Sequence, residues 1–217
     1  MKGLLVAVAL AASGCVIFAR PLKAPPGDQA AVLVLSTRLG GPLRRIARHA
    51  YIAVRARGST NWDIWECCPG GRQRSDDPNP FRPSFGDEVR LHGVFTGKRA
   101  EKMIACIPDA SHAYGNPPYW LWPGPNSNTY VEAILRKCGI HADLSSTAVG
   151  KDFRGLIGAS WTSGGTGFQI ETPLVGLKLG LTEGIEVHIF GLALGIDFWP
   201  PAIIIPVGEG RIGFGDR

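Results

Sequence analysis

The sequence predicts an α+β fold: a small antiparallel sheet with one central helix packed on it, extended by a glycine-rich β unit. Three observations carry this. The 29 glycines and 17 prolines among 217 residues call for many turns, which favours strands and loops over a helical bundle. Ile46 to Arg57 alternates along its length, and Asn61 to Cys68 follows a Gly-Ser turn as its hairpin partner. Between Trp122 and Gly139 (WPGPNSNTYVEAILRKCG) lies a short amphipathic run, in which Val131, Ile134, Leu135 and Cys138 fall on one stripe. With 45% hydrophobic and 19% charged residues the chain is globular, and its length fits one domain.

Taken in order, the chain opens on Lys2, an apolar run from Leu4 to Ala12, and Ser13-Gly14-Cys15. This is the layout of an export signal. Its ending resembles a bacterial lipobox, in which the cysteine is lipidated, although Ala12 stands where leucine is usual. The other reading is an uncleaved anchor over residues 3–19. Both place the protein outside the cytoplasm, tethered to a membrane in the cell envelope. Residues 16–29 read as a linker, 30–154 as the α+β core, and 155–217 as a β-rich extension of the same domain.

Within the core, Ala31 to Leu35 is a short buried strand. In the strand from Ile46 to Arg57, His49 and Tyr51 share the more polar face. On the partner strand Glu66 shares a face with Trp62 and Ile64, a costly setting for a carboxylate unless it has a partner. Residues 69–86 read as an irregular loop long enough to cover a site, Asp87 to Thr96 as a strand carrying His92, and Lys98 to Ile107 as helical. Residues 108–122 deliver the chain in extended form to the central stretch. Beyond Gly155, short apolar runs (168–171, 174–179, 185–192, 202–207) punctuated by glycine suggest antiparallel strands forming a scaffold or binding face.

The central stretch puts Ser127 at or just before a helix N-terminus, where backbone N–H groups favour negative charge. A nucleophile with a ready oxyanion site needs that placement. The plainer reading is a capping box, with Thr129 as cap and Glu132 three residues on, while Arg136, Lys137 and Gly139 close the helix. Of the cysteines, Cys67 and Cys68 point to opposite faces of a strand and are not expected to pair, while spacing leaves Cys106 and Cys138 open. Scattered histidines beside Cys-Cys supply no metal site, and no cofactor loop occurs. The arginines between Arg38 and Arg57 read first as a solvated basic face. Anionic lipid or cell-wall polymer are candidate partners, and nucleic acid is not expected.

RHAYIAV, WDIWE, WPGPNSNTYV, AVGKDF and the glycine-rich close together resemble a bacterial family defined as domain of unknown function 3750. More distantly, the order of residues is similar to that of circularly permuted papain-like proteins of the NlpC type. That resemblance implies His49 as base, Glu66 as third member, and Ser127 where those proteins have cysteine, with Asn126, Asn128, Thr129 and Tyr51 in support. It also implies a hydrolase or acyltransferase acting on amide or ester bonds of peptidoglycan peptides or lipids. The alternative is a non-catalytic envelope lipoprotein that binds lipid or cell wall. A working triad requires Ser127 Oγ within about 3.5 Å of a His49 ring nitrogen.

Overall fold

The computed structural model describes residues 22–67, 73–82, 84 and 86–214. Cys15, Cys68 and the export signal lie outside the described residues. The architecture is α+β, with two antiparallel sheets of five and seven strands and two helices packed on the first.

The first sheet contains β1 (Ala31–Arg38), β2 (Arg48–Arg55), β3 (Trp62–Trp65), β4 (Gln73–Asp77) and β5 (Asp87–Thr96), in the order β4-β3-β2-β1-β5. β1 lies between β2 and β5 and is buried along nearly all of its length, as its continuous apolar run requires. On one face, Val32, Val34, Ala50, Ile52 and Val54 meet α1 (Gly97–Ala113) and α2 (Ser127–Lys137). On the other, Leu33, Leu35, Tyr51, Ala53, Trp62 and Ile64 form a second, smaller core, over which Ala24, Phe81 and Val89 pack. The face shared by His49 and Tyr51 is covered too, with an apolar centre and the polar side chains His49, Glu66 and Arg55 buried around it. Segments on both sides of the sheet exclude water from it.

Other expectations shift for local reasons. β3 stops at Trp65 because beyond Ile52 the edge of β2 is occupied by a side chain from α2, as shown below. Residues 69–86 are not wholly irregular, since β4 adds an edge strand to β3. α1 runs six residues past Ile107 and carries Pro108 in its interior, so the extended approach begins only after Tyr114. A disulfide joins Cys106 in α1 to Cys138 at the end of α2, and Cys67 is also disulfide-bonded. In α2, Val131, Ile134 and Leu135 are buried, and Gly139 takes a left-handed φ of 61° at the C-terminal stop.

The second sheet is a meander of β6 (Gly158–Trp161), β7 (Gly167–Glu171), β8 (Val175–Gly180), β9 (Gly184–Ile189), β10 (Leu192–Asp197), β11 (Ala202–Ile204) and β12 (Arg211–Gly213). The run expected at 185–192 is two strands, parted by a turn at Phe190-Gly191. Its two faces are inverted relative to an ordinary sheet. Gln169, Glu171, Lys178, Glu186, His188 and Asp197 are buried, while the alternate positions are apolar and exposed. After β11 the chain returns to the first sheet: Glu209 forms ion pairs with Arg38, Arg48 and Arg90. Arg44 pairs with Asp87 and Glu88, Arg57 with Glu101, and Arg55 donates to the carbonyls of Pro25 and Gln29. Of the early arginines, Arg38, Arg48 and Arg55 thus serve largely buried intramolecular contacts, while Arg44, Arg45 and Arg57 stay at the surface. Among the described residues no helix is long and apolar enough to cross a membrane.

Candidate active site

Three residues distant in sequence meet where β2, the end of β3 and the N-terminus of α2 converge. His49 Nδ1 lies 3.0 Å from Ser127 Oγ, and His49 Nε2 lies 2.9 Å from Glu66 Oε2. All three side chains are buried. The remaining Glu66 oxygen accepts a hydrogen bond from Ser84 Oγ. An ionised carboxylate can only accept, so the imidazole proton belongs on Nε2. Nδ1 then offers its lone pair to the Ser127 hydroxyl. The array can withdraw a proton from Ser127 and hold the resulting imidazolium beside a carboxylate.

The elements explain why these side chains converge. His49 and Glu66 occupy the same face of neighbouring strands beyond the last β2–β3 pair, Ile52 with Trp65: Glu66 follows Trp65 directly, and His49 lies further along β2. Ser127 arrives at the sheet edge, and Asn128 fixes it there. Asn128 Oδ1 accepts from the Ala50 N–H at 2.8 Å, while its Nδ2 donates to the carbonyls of Arg48 at 2.9 Å and Val149 at 2.8 Å. One amide side chain therefore grips the backbone on both sides of His49, replacing a strand neighbour.

The cap of α2 is Asn126, not Thr129. Asn126 Oδ1 accepts from the N–H groups of Asn128 and Thr129, and Thr129 Oγ1 accepts from the Asn126 N–H, completing a capping box one turn earlier than expected. Glu132 consequently sits in the second turn. It is buried against Arg154 and Arg136, and burial raises its pKa although both guanidiniums oppose the rise. The cap also reduces the number of N–H groups available at the helix start. With those of Asn128 and Thr129 engaged, the Ser127 N–H is the donor left to face a developing oxyanion.

The AVGKDF stretch completes the cradle. Val149 O accepts from both asparagines, and Gly150 O accepts from Thr129 Oγ1 at 2.7 Å. Gly150 has φ 91°, and a Cβ there would fall 2.3 Å from the Asn126 amide, so only glycine fits. Tyr51 lies further along the His49 face, with its hydroxyl donating to Pro80 O at 3.2 Å beneath the covering segment. Ser84 had no sequence signal: it reaches Glu66 from a stretch without periodicity.

A cavity of about 260 Å³ opens onto Ser127 and His49. Its walls are mostly apolar, from Leu39, Leu43, Ile46, Tyr119, Leu121 and Trp122. The floor carries the polar groups, as in sites that hold an apolar ligand by shape and orient it with a few polar atoms.

A second buried polar cluster lies behind the inner face of the second sheet. Asp152, Glu171 and His188 bring one ligand atom each to within 4.8 Å of one another, the spacing of a cation site. Two ammonium groups already neutralise that neighbourhood, with Lys151 Nζ 2.6 Å from Asp152 and Lys178 Nζ 2.6 Å from Glu186. Burial alone disfavours charge on His188. The Asp152 charge and hydrogen bonds to Glu171 and Glu186 outweigh it and raise the imidazole to about 9. The cluster is a charge-balanced buried network. It also links GKDF to β7, through Gln169 Nε2 donating to Asp152 at 2.9 Å.

The family described as "Protein of unknown function (DUF3750)" matches residues 29–153, more than half of the chain, and the protein belongs to that family. No curated protein and no solved structure gives a match.

Proposed function

We propose that this DUF3750 protein is a serine hydrolase or acyltransferase that cleaves an amide or ester bond of a substrate with an apolar acyl portion. The observation that carries the reading is the continuous Ser127–His49–Glu66 array at 3.0 and 2.9 Å. Ser127 Oγ attacks the carbonyl carbon as His49 Nδ1 takes the hydroxyl proton, and the oxygen that gains the electron pair is met by the Ser127 N–H. Collapse of the adduct expels the amine or alcohol, which leaves with the proton from His49. Water in a hydrolase, or a second amine or alcohol in an acyltransferase, then gives its proton to His49 and attacks the acyl-serine. Release of the acyl product restores the Ser127 hydroxyl. Glu66 stabilises the imidazolium at both stages, and Ser84 holds Glu66.

The apolar cavity favours a lipid acyl group over a peptidoglycan peptide, whose polar backbone would leave hydrogen bonds unmet there. On this reading the order strand histidine, neighbouring acid, nucleophile at a helix N-terminus is that of circularly permuted papain-like enzymes, with serine in place of cysteine. Export and tethering through a lipidated Cys15 belong to the same proposal and would place the site in the cell envelope.

The test is covalent labelling of the full chain with a fluorophosphonate bearing an alkyl chain. The adduct should map to Ser127, disappear in Ser127→Ala, and form far more slowly in His49→Gln. A folded wild-type chain that gives no adduct at Ser127 would refute the enzyme and leave a lipid- or wall-binding protein.

A further inference from the structure

We infer that the outer face of the second sheet seats the protein on one leaflet of a phospholipid bilayer. The inference does not rest on the chemistry proposed for Ser127.

The alternation of this sheet is regular and inverted. From β7 to β12 every outward position is Phe, Ile, Leu or Val, represented by Ile170, Leu177, Val187, Ile196, Ile203 and Ile212, each at least 41% exposed. Every charged side chain of β7 to β10 points inward and is buried. Apolar-out, polar-in alternation is the pattern of strands that face lipid. Isolated exposed apolar residues are ordinary, but a contiguous field across six strands is not.

A protein partner fits this face less well. Protein interfaces carry about one hydrogen bond per 100–200 Å². The outward positions of β7–β12 offer no side-chain donor or acceptor. The ends of the strands suit a bilayer surface instead: Phe190 lies in the β9–β10 turn, Phe198 and Trp199 in the β10–β11 turn, and Trp161 on the edge strand, all exposed. Such rings favour the headgroup level.

Length limits the depth. The strands have three to six residues, whereas a spanning strand needs about 9–11. The face lies on the leaflet and does not cross the bilayer. The sequence ahead of Leu22 points the same way. The apolar run Leu4 to Ala12 ends at Cys15, seven residues before Leu22, a reach of at most about 25 Å. A chain inserted or lipidated there holds the domain against the surface. Continuity with the cavity is local: a methyl at Gly191, in the β9–β10 turn, would stand 3.5 Å from Pro123, the neighbour of Trp122 at the cavity wall.

The experiment uses the full chain with vesicles of phosphatidylglycerol and phosphatidylethanolamine carrying a diazirine-acyl phospholipid. After irradiation, peptide mapping should place adducts on outward residues of β7 to β12. The L177E/V187E double variant should lose those adducts and co-float with vesicles about tenfold less. Adducts confined to residues 1–21, or none, would overturn the inference. So would a wild-type dimer that the double variant converts to monomer, since a second copy would then cover the face. If the double variant proves unfolded by circular dichroism, the wild-type adduct map alone decides.

Discussion

Replacing Asn128 with alanine should loosen the site more than any other single truncation at the start of α2. The side chain is 5% exposed and makes three hydrogen bonds of 2.8–2.9 Å to backbone groups of β2 and of the segment at Val149. Val149 O keeps its bond from Asn126, whereas the Ala50 N–H and the Arg48 carbonyl lose this partner at a buried edge. At about 1–3 kcal/mol for each group deprived of its partner, two such groups give a loss of about 3 kcal/mol. Asn128→Asp should be at least as costly, because a carboxylate would keep the Ala50 bond but face two carbonyl oxygens. Urea unfolding of the full chain measures the stability, and the rate of fluorophosphonate labelling measures the placement of His49. If Asn128→Ala lost less than about 1 kcal/mol and labelled Ser127 at the wild-type rate, the claim that this amide aligns His49 with Ser127 would be wrong.

Two further outcomes follow from buried groups away from the site. The Cys106–Cys138 bridge closes a separation of 32 residues, so Cys106→Ser/Cys138→Ser should lower stability by about 2–4 kcal/mol in thermal unfolding, more than reductant takes from the double variant itself. His188 binds its proton more tightly folded, at about 9, than unfolded, near 6.5, so its contribution is complete below about 6.5 and is lost as pH rises toward 9. Unfolding free energy measured across that window should fall by about 2–3 kcal/mol, and His188→Gln should flatten the slope.

Much of this is legible in the sequence, where a local pattern meets a single physical demand. β5 was bounded at Asp87 and Thr96, and the Val131, Ile134, Leu135 stripe faces the core. Glu66 stood out because a carboxylate beside Trp62 and Ile64 demands a partner, and His49 supplies one. The cap is Asn126 and not the expected Thr129 because NSNT offers two frames. What selects Asn126 is Val149 and Gly150, more than twenty residues away, whose carbonyls no local rule can see. In the second sheet, periodicity identified alternating residues but not which set faces inward. The polar set is the buried one, and it meets the buried charges of Lys151 and Asp152 through Gln169. Ser84 and the cavity wall were invisible, since shape is not written in spacing.

The return of Glu209 to the first sheet gives the protein a sense of time. Arg48, next to His49, takes as ion-pair partner a carboxylate 161 residues later in the chain, and Ser145 Oγ and Arg90 bind the carbonyl of that same residue. A chain emerging from its N-terminus can build β1 and β2 early, yet the ground beside the histidine is not finished until almost the whole polypeptide has been made. A half-made chain would hold the three site residues without the clasp that steadies them. Completion of synthesis is thereby coupled to completion of the ground on which His49 stands.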